Sequence, residues 1–257
     1  MGEDLRFAGI SRLYGDKGFQ RINTAHICVI GIGGVGSWAV EALARSGISE
    51  ITLIDLDDIC VSNTNRQIHA LEGQYGRNKC AAMAERAKAI NPEIVTHVIE
   101  AFVTPSNVSD LSDWNFDCVI DAIDDLPAKA ALLSQLKRVK TKVVSVGAAG
   151  GRRDPGRLFI KDLSKTQVDS FLSLLRKRLR REYGFPKNTS RSFNIPCVYS
   201  EEAPWFPSCD GEMTRTKPKK GTSGRLDCAH SLGAITTVTA NFAFMAVSKC
   251  LEIITRD

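Results

Sequence analysis

The sequence predicts an α/β fold: a doubly wound, mostly parallel sheet over residues 1–150, with a helical and loop extension over 151–257. Three observations predict it. Short β-rich runs alternate with helical patterns of ten or more residues, which is the order of βαβ units in a parallel sheet. A glycine-rich turn, Gly31 to Gly36, links the first such run to the first helix behind it. Acidic residues, Asp55 and Asp121, end two further apolar runs, at what would be the carboxyl edge of that sheet.

The elements follow in order. An amphipathic stretch near residues 4–14 precedes the mostly apolar run His26–Ile30, read as the first strand. A helical pattern at about 35–46 and a strand at 51–55 complete a Rossmann-like unit. A looped stretch reaches residue 77, and an Ala- and Lys-rich helix at 78–90 stops at Asn91-Pro92. Strands are expected near 94–102, at 116–121 and at 142–146, with a helix after Pro127 between the last two. Residues 158–163 could add another strand. A helix at 167–182 would bury Val168, Phe171, Leu172, Leu175 and Leu179 on one face. Residues 184–227 hold five prolines and neither period, and read as a long, partly mobile loop. Positions 231–248 carry no charge. They are short for a membrane span, and a helix buried in the core or a dimer interface is the preferred reading over membrane association. The chain is read as a single domain.

Composition excludes several classes. With 43% hydrophobic and 25% charged residues in 257, the chain is neither disordered nor collagenous and can build a core without staples. Its eight cysteines make no CxxC pair, so no zinc ribbon is expected. Several lie in apolar runs, a usage that fits a reducing cytoplasm. The N-terminus lacks the layout of a secretion signal. Charge is uneven: residues 176–225 hold 12 Lys/Arg against 5 Asp/Glu, while the rest holds 22 against 24. A neutral body with one basic segment suits a polyanionic partner, and equally a solvated helix face.

The glycine loop carries the first chemistry. Gly31 allows the tight turn, Gly33 lets backbone N–H groups approach phosphate, and Gly36 allows close helix packing. Asp55, 19 residues beyond Gly36, can accept ribose hydroxyl bonds. These features alone do not separate a dinucleotide from ATP. The next segment favours ATP: Asp57-Asp58, then Ser62-Asn63-Thr64-Asn65-Arg66-Gln67, then Lys79. Two cations there suit a triphosphate, whose oxygens need neutralising as the α-phosphate is attacked. Asp124 and Asp125 follow a strand, where carboxylates would hold Mg²⁺ or, more plainly, cap the helix before Pro127.

Together GxGGVGS, LIDxD, SNxNRQ, a downstream Lys and DAIDD resemble the ubiquitin-activating-enzyme-like superfamily of adenylating enzymes. RFAGISRLYG, GIGGVGSWAVEALARSGI and DDICVSNTNRQIHAL are similar to its bacterial tRNA threonylcarbamoyladenosine dehydratase branch. The resemblance is dense over 5–150 and thinner in RKRLRREYG and LDCAHSLGAITTVTANF. It implies an ATP site of Gly31, Gly33, Gly34, Gly36, Asp55, Asp57, Asn63, Arg66 and Lys79. Within it Asp55 would bind ribose, Asn63 and Arg66 would reach the phosphates, Lys79 would stabilise the transition state, and Asp124 would bind Mg²⁺. A monovalent cation is left open. The resemblance further implies cyclisation of threonylcarbamoyladenosine in tRNA through an acyl-adenylate, a homodimer, and cysteine desulfurase or other sulfur-transfer partners.

The chain departs from the superfamily in two places. It lacks the paired CxxC motifs of ubiquitin-like-protein activators, and Gly9 stands where sulfur-carrier activators have an arginine, leaving Arg6 and Arg12 to serve. Cys228, in LDCAHSLG beside His230, is read as structural rather than as a nucleophile. On the 167–182 helix Arg176, Lys177, Arg178, Arg180 and Arg181 would form a positive ridge for tRNA phosphates, with Lys217, Lys219 and Lys220 beside it. An activator of a ubiquitin-like sulfur carrier is the alternative enzyme. A non-catalytic RNA-binding module would leave Arg66, Lys79 and Asp124 without a task, and a nicotinamide dehydrogenase has no use for them.

Overall fold

A computed structural model gives the structure of the chain and describes residues 5–109, 115–208, 211–216 and 232–256. The N-terminal half alternates as expected: α1 (Ala8–Thr24), β1 (His26–Ile30), α2 (Gly36–Arg45), β2 (Glu50–Ile54), α3 (Lys79–Ile90), β3 (Val95–Ile99), β4 (Cys118–Asp121), α4 (Leu126–Val139) and β5 (Val143–Val146). Then come β6 (Leu158–Asp162), α5 (Ser170–Glu182), β7 (Pro196–Ser200), the short pair β8 (Phe206–Pro207) and β9 (Met213–Thr214), and α6 (Thr236–Thr255). Side-chain caps set several starts. Asn78 accepts from the amides of Cys80 and Ala81, Asp125 from Ala128, and Asp169 from Leu172.

Seven strands form one sheet in the order β3-β2-β1-β4-β5-β7-β6, parallel except for β6. The chain winds from β1 out to β3, returns to β4 beside β1, and winds the other way. A crevice therefore opens between the carboxyl ends of β1 and β4, the place where such sheets bind ligands. Alternation along β1 explains why both faces are covered. Ile27 and Val29 enter one core with α2, α3 and α6, while Cys28 and Ile30 enter the other with α4 and α5.

Three expectations are corrected, and a fourth is met. The first helix runs on to Thr24, past a bend at Gly15 where φ is +70°. Helix α5 starts at Ser170, not 167: Val168 has φ +62° and is exposed, and Asp169 is the cap. The expected loop at 184–227 contains β7, which inserts between β5 and β6 with Cys197, Val198, Tyr199 and Ser200 buried. Pro196 opens that strand, where a missing N–H costs least. As preferred, residues 236–248 of the uncharged run lie in a core helix, α6, which is long and apolar enough to span a membrane but here lies against α1, α2, β4, β5 and β7, with Phe242, Ala243, Ala246 and Cys250 in the core.

Candidate active site

The cradle begins where β1 ends. Gly31 turns the chain at φ +86°, and a Cβ there would lie 2.8 Å from the Ala122 carbonyl oxygen. A Cβ on Gly36 would collide with the carbonyl of Gly31, so α2 can start this close to β1 only with glycine. The Asp55 carboxylate accepts from the amide of Ile32 at 2.6 Å and of Asp57 at 2.9 Å, holding the glycine loop against the end of β2. Burial pushes this carboxyl above its usual range, against the pull of those amides and of Lys79. His69, buried on the other side, meets the Ile32 carbonyl at 3.0 Å. Burial holds its imidazole below its ordinary pKa, hence neutral at pH 7.

The cationic segment is fastened from two sides. Trp38 of α2 donates to the Arg66 carbonyl at 3.1 Å, and Thr236 at the start of α6 donates to the Asn65 carbonyl at 2.7 Å. Asn65 in turn donates to the carbonyl of Ala234 at 2.7 Å. The C-terminal extension thus positions the arginine. Arg66 itself donates to Ser62 O and Asn65 Oδ1 and meets no carboxylate among the described residues. Asn63 is buried, its Oδ1 accepting from the Cys60 amide. Lys79 opens α3 and forms a 2.7 Å ion pair with Asp57.

Across the crevice, residues 121–125 divide their labour. Asp121 is fully buried with Lys129, 2.9 Å away, and also accepts from Ser145. The Lys129 ammonium donates to the carbonyls of Asp121 and Ile123 as well, fixing the turn that follows β4. Asp125 caps α4. Asp124 is exposed, with no hydrogen bond or ion pair among the described residues.

These parts line one cleft of about 1020 Å³. Gly31, Gly33, Gly34, Asp55, Asp57, Asn63, Arg66, Lys79 and Asp124 all stand in its wall; Gly36 lies just behind. Thr104, Phe171, Gly150 and Gly233 complete the enclosure. One feature leaves room for a phosphate, and another offers an acceptor to a ligand donor such as a hydroxyl or amine. A Cβ on Gly33 would approach nothing nearer than Gln67 Nε2 at 3.9 Å, so the glycine leaves that space to the cleft. Gln67 Oε1 is buried without a partner among the described residues. Gln67 stood in the sequence motif without a role, while His69 and Lys129 had no place in it. His69 closely follows that motif, which was the available signal; Lys129 looked like one more helix-surface lysine.

The basic helix is placed less simply. Arg176 turns inward to Thr166, and Arg180 donates to the Pro186 carbonyl and lies 5.1 Å from the Phe193 ring centre. Arg178 and Arg181 share Glu182. Lys177 is exposed. Arg6 and Arg12 do not line the cleft. Cys228, His230, Lys217, Lys219 and Lys220 lie outside the described residues.

The ThiF family description matches residues 7–257, nearly the whole chain. The chain belongs to the ThiF family. It is 49% identical to the tRNA threonylcarbamoyladenosine dehydratase of Escherichia coli K12 over 247 residues, 96% of this chain and 92% of that protein. It is also 49% identical to the dehydratase of the same name from Haemophilus influenzae, over 97% and 93% of the two chains. Among solved structures, the E. coli tRNA N6-threonylcarbamoyladenosine dehydratase TcdA in complex with ATP matches at TM-score 0.86 and 46% identity, covering 97% of this chain and 93% of that one. Its complex with AMP matches equally well. E. coli MccB with ATP, at 15% identity and TM-score 0.64, shares the fold.

Proposed function

We propose that this chain cyclises threonylcarbamoyladenosine in tRNA by ATP-dependent dehydration. One observation carries the reading: the cleft at the β1/β4 crevice gathers the glycine loop, Arg66, Lys79 and Asp124 in a chain nearly half identical, end to end, to dehydratases. One such dehydratase has been crystallised with both ATP and AMP.

The threonine carboxylate attacks the α-phosphorus of ATP, and the bond to the β-phosphate oxygen breaks, releasing pyrophosphate. The carbamoyl nitrogen then attacks the acyl carbon and loses its proton. AMP leaves with the carboxylate oxygen, closing a hydantoin-type ring. The second step is intramolecular, so the protein contributes position and charge neutralisation rather than a nucleophile. Gly33 and its neighbours present backbone N–H groups at the start of α2. Arg66 and Lys79 neutralise charge as the phosphorus is attacked, Lys79 exchanging its hold on Asp57 for phosphate oxygen. Asp55 accepts from the ribose hydroxyls. The free Asp124 carboxylate is a hard oxygen donor and would hold Mg²⁺, which supplies further neutralisation of the phosphates.

The exposed basic residues Lys177 and Arg181, with the half-buried Arg178, would steer the tRNA, since Phe171 on the same helix reaches the cleft wall. Cysteine usage suits a cytoplasmic setting, and the resemblance adds a homodimer and cysteine desulfurase partners, to be read by sedimentation and co-purification. The deciding experiment is mass analysis of tRNA nucleosides from cells lacking the protein. Loss of the cyclic nucleoside supports the reading. Its persistence, with an unmodified carrier protein instead, would favour sulfur-carrier activation.

A further inference from the structure

A second cluster of chemically capable side chains lies far from the cleft. His26 and Glu50 open β1 and β2, at the ends of those strands opposite Gly31 and Asp55. They are register partners, and His97 of β3 is the partner of Thr52, two residues on from Glu50. Side chains two apart on a strand share a face, so all three project from the same side of the sheet. One ligand atom from each lies within 4.8 Å of the other two. Glu50 Oε1 is 2.8 Å from His97 Nε2 and 3.6 Å from His26 Nδ1.

We infer that His26, Glu50 and His97 form a binding site for a divalent transition metal of the Zn²⁺ class. Two imidazoles and one carboxylate are a recurrent three-ligand set for Zn²⁺, with water in the fourth position. In a tetrahedral site with bonds near 2.0–2.2 Å the ligand atoms stand about 3.3 Å apart. The observed separations bracket that value, so small side-chain rotations suffice. The second ring nitrogen of His26 is already engaged: its Nε2 lies 2.8 Å from the Thr52 hydroxyl, which is buried. That bond leaves Nδ1 free to ligate and fixes the ring, the arrangement that outer hydrogen bonds give metal-binding histidines. Glu50 and His97 are partly exposed, so an ion and its water can enter. This donor set is distinct from the thiolate ribbon that the absence of CxxC argues against. Its effect would be to tie the edge strand β3, paired only with β2, to β1 as well.

The site is independent of the reading of the cleft, and its test needs no turnover. Untagged full-length protein is stripped with chelator and titrated with Zn²⁺ by calorimetry and with Co²⁺ by visible absorption. The expected result is one Zn²⁺ per chain, with Co²⁺ d–d bands but no thiolate-to-cobalt charge-transfer band. His97→Ala and Glu50→Ala should each weaken binding at least tenfold. Thr52→Val should weaken it about tenfold while keeping the stoichiometry. Zn²⁺ should raise the Tm of the natural chain and not that of His97→Ala, whose metal-free Tm serves as the folding control. No saturable binding, a dominant thiolate band, or unchanged affinity in the His97→Ala, Glu50→Ala double variant would overturn the site.

Discussion

Lys79 and Asp57 form a 2.7 Å ion pair in which the lysine side chain is 7% exposed and the aspartate 51%. The cation is therefore sunk in the cleft wall while its partner faces solvent. A phosphate group entering the cleft competes for a charge already pointed at it, and Asp57 can be left to water at little cost.

Replacing Lys79 or Arg66 with Ala should lower turnover by ~10²–10³ if each cation meets charge that develops as phosphorus is attacked. The assay is release of AMP and pyrophosphate from ATP and modified tRNA. Formation of ADP and orthophosphate in the natural chain would remove the acyl-adenylate from the mechanism.

Cys228→Ser should keep most of the turnover, because the carbamoyl nitrogen attacks the acyl-adenylate directly. A thioester trapped between chain and substrate, or complete inactivity of a folded Cys228→Ser protein, would assign the thiol a covalent role.

The Asp121–Lys129 pair is entirely buried, so Lys129→Met should destabilise the fold by about 3–5 kcal/mol, leaving a stranded carboxylate. Adding Asp121→Asn should restore part of that loss. Urea unfolding of the two single variants and the double variant measures the coupling.

Asp162 accepts from the amides of Ser164, Phe193 and Ile195 and from the Ser192 hydroxyl. Burial pushes its carboxyl up, but those hydrogen bonds outweigh it and hold the group below its usual range. A lowered folded pKa gives stability that is complete above the unfolded value, about 3.9, and is lost as pH falls through the folded one. Asp162→Asn should therefore cost most at neutral pH and flatten the acid limb of urea midpoints below about pH 4. A parallel shift of the whole curve would mean that its charge is immaterial.

Lys177→Ala with Arg181→Ala should weaken tRNA binding and flatten its salt dependence by about one unit for each phosphate left unneutralised, with ATP affinity unchanged. Arg176 and Arg180 are unsuitable probes, since Arg176 is engaged by the Thr166 hydroxyl and Arg180 by the Pro186 carbonyl and the Phe193 ring. An unchanged salt slope would move the tRNA surface elsewhere.

The parts legible in the sequence were those governed by local rules. Strands β1, β2, β4 and β5 are apolar runs with turn signals around them, and Asn78 and Asp125 announce their helices. The strand β7 was hidden because its five residues sit among prolines, and its place depends on the distant Asp162. The residue Val168 matched the helical period yet lies before the Asp169 cap. At the site, residue type and spacing pointed to Arg66, Lys79 and Asp124, which line one cleft. They could not reveal that Asn65 and Thr236 are joined, because that bond spans 171 residues.

The position of β7 also sets a timetable for the nascent chain. The edge of β5 and the apolar face beside it are made about 50 residues before their covering strand. At translation rates of ~5–20 residues per second this is roughly 3–10 s, and for the later part of it β6 exists without the neighbour it must pair with. The half-sheet β3-β2-β1-β4-β5 can assemble in that interval, but it presents an unpaired, buried-type edge to whatever is nearby. Synthesis stalled between residues 162 and 196 should therefore yield aggregates, whereas synthesis past residue 200 lets β7 pair with both β5 and β6.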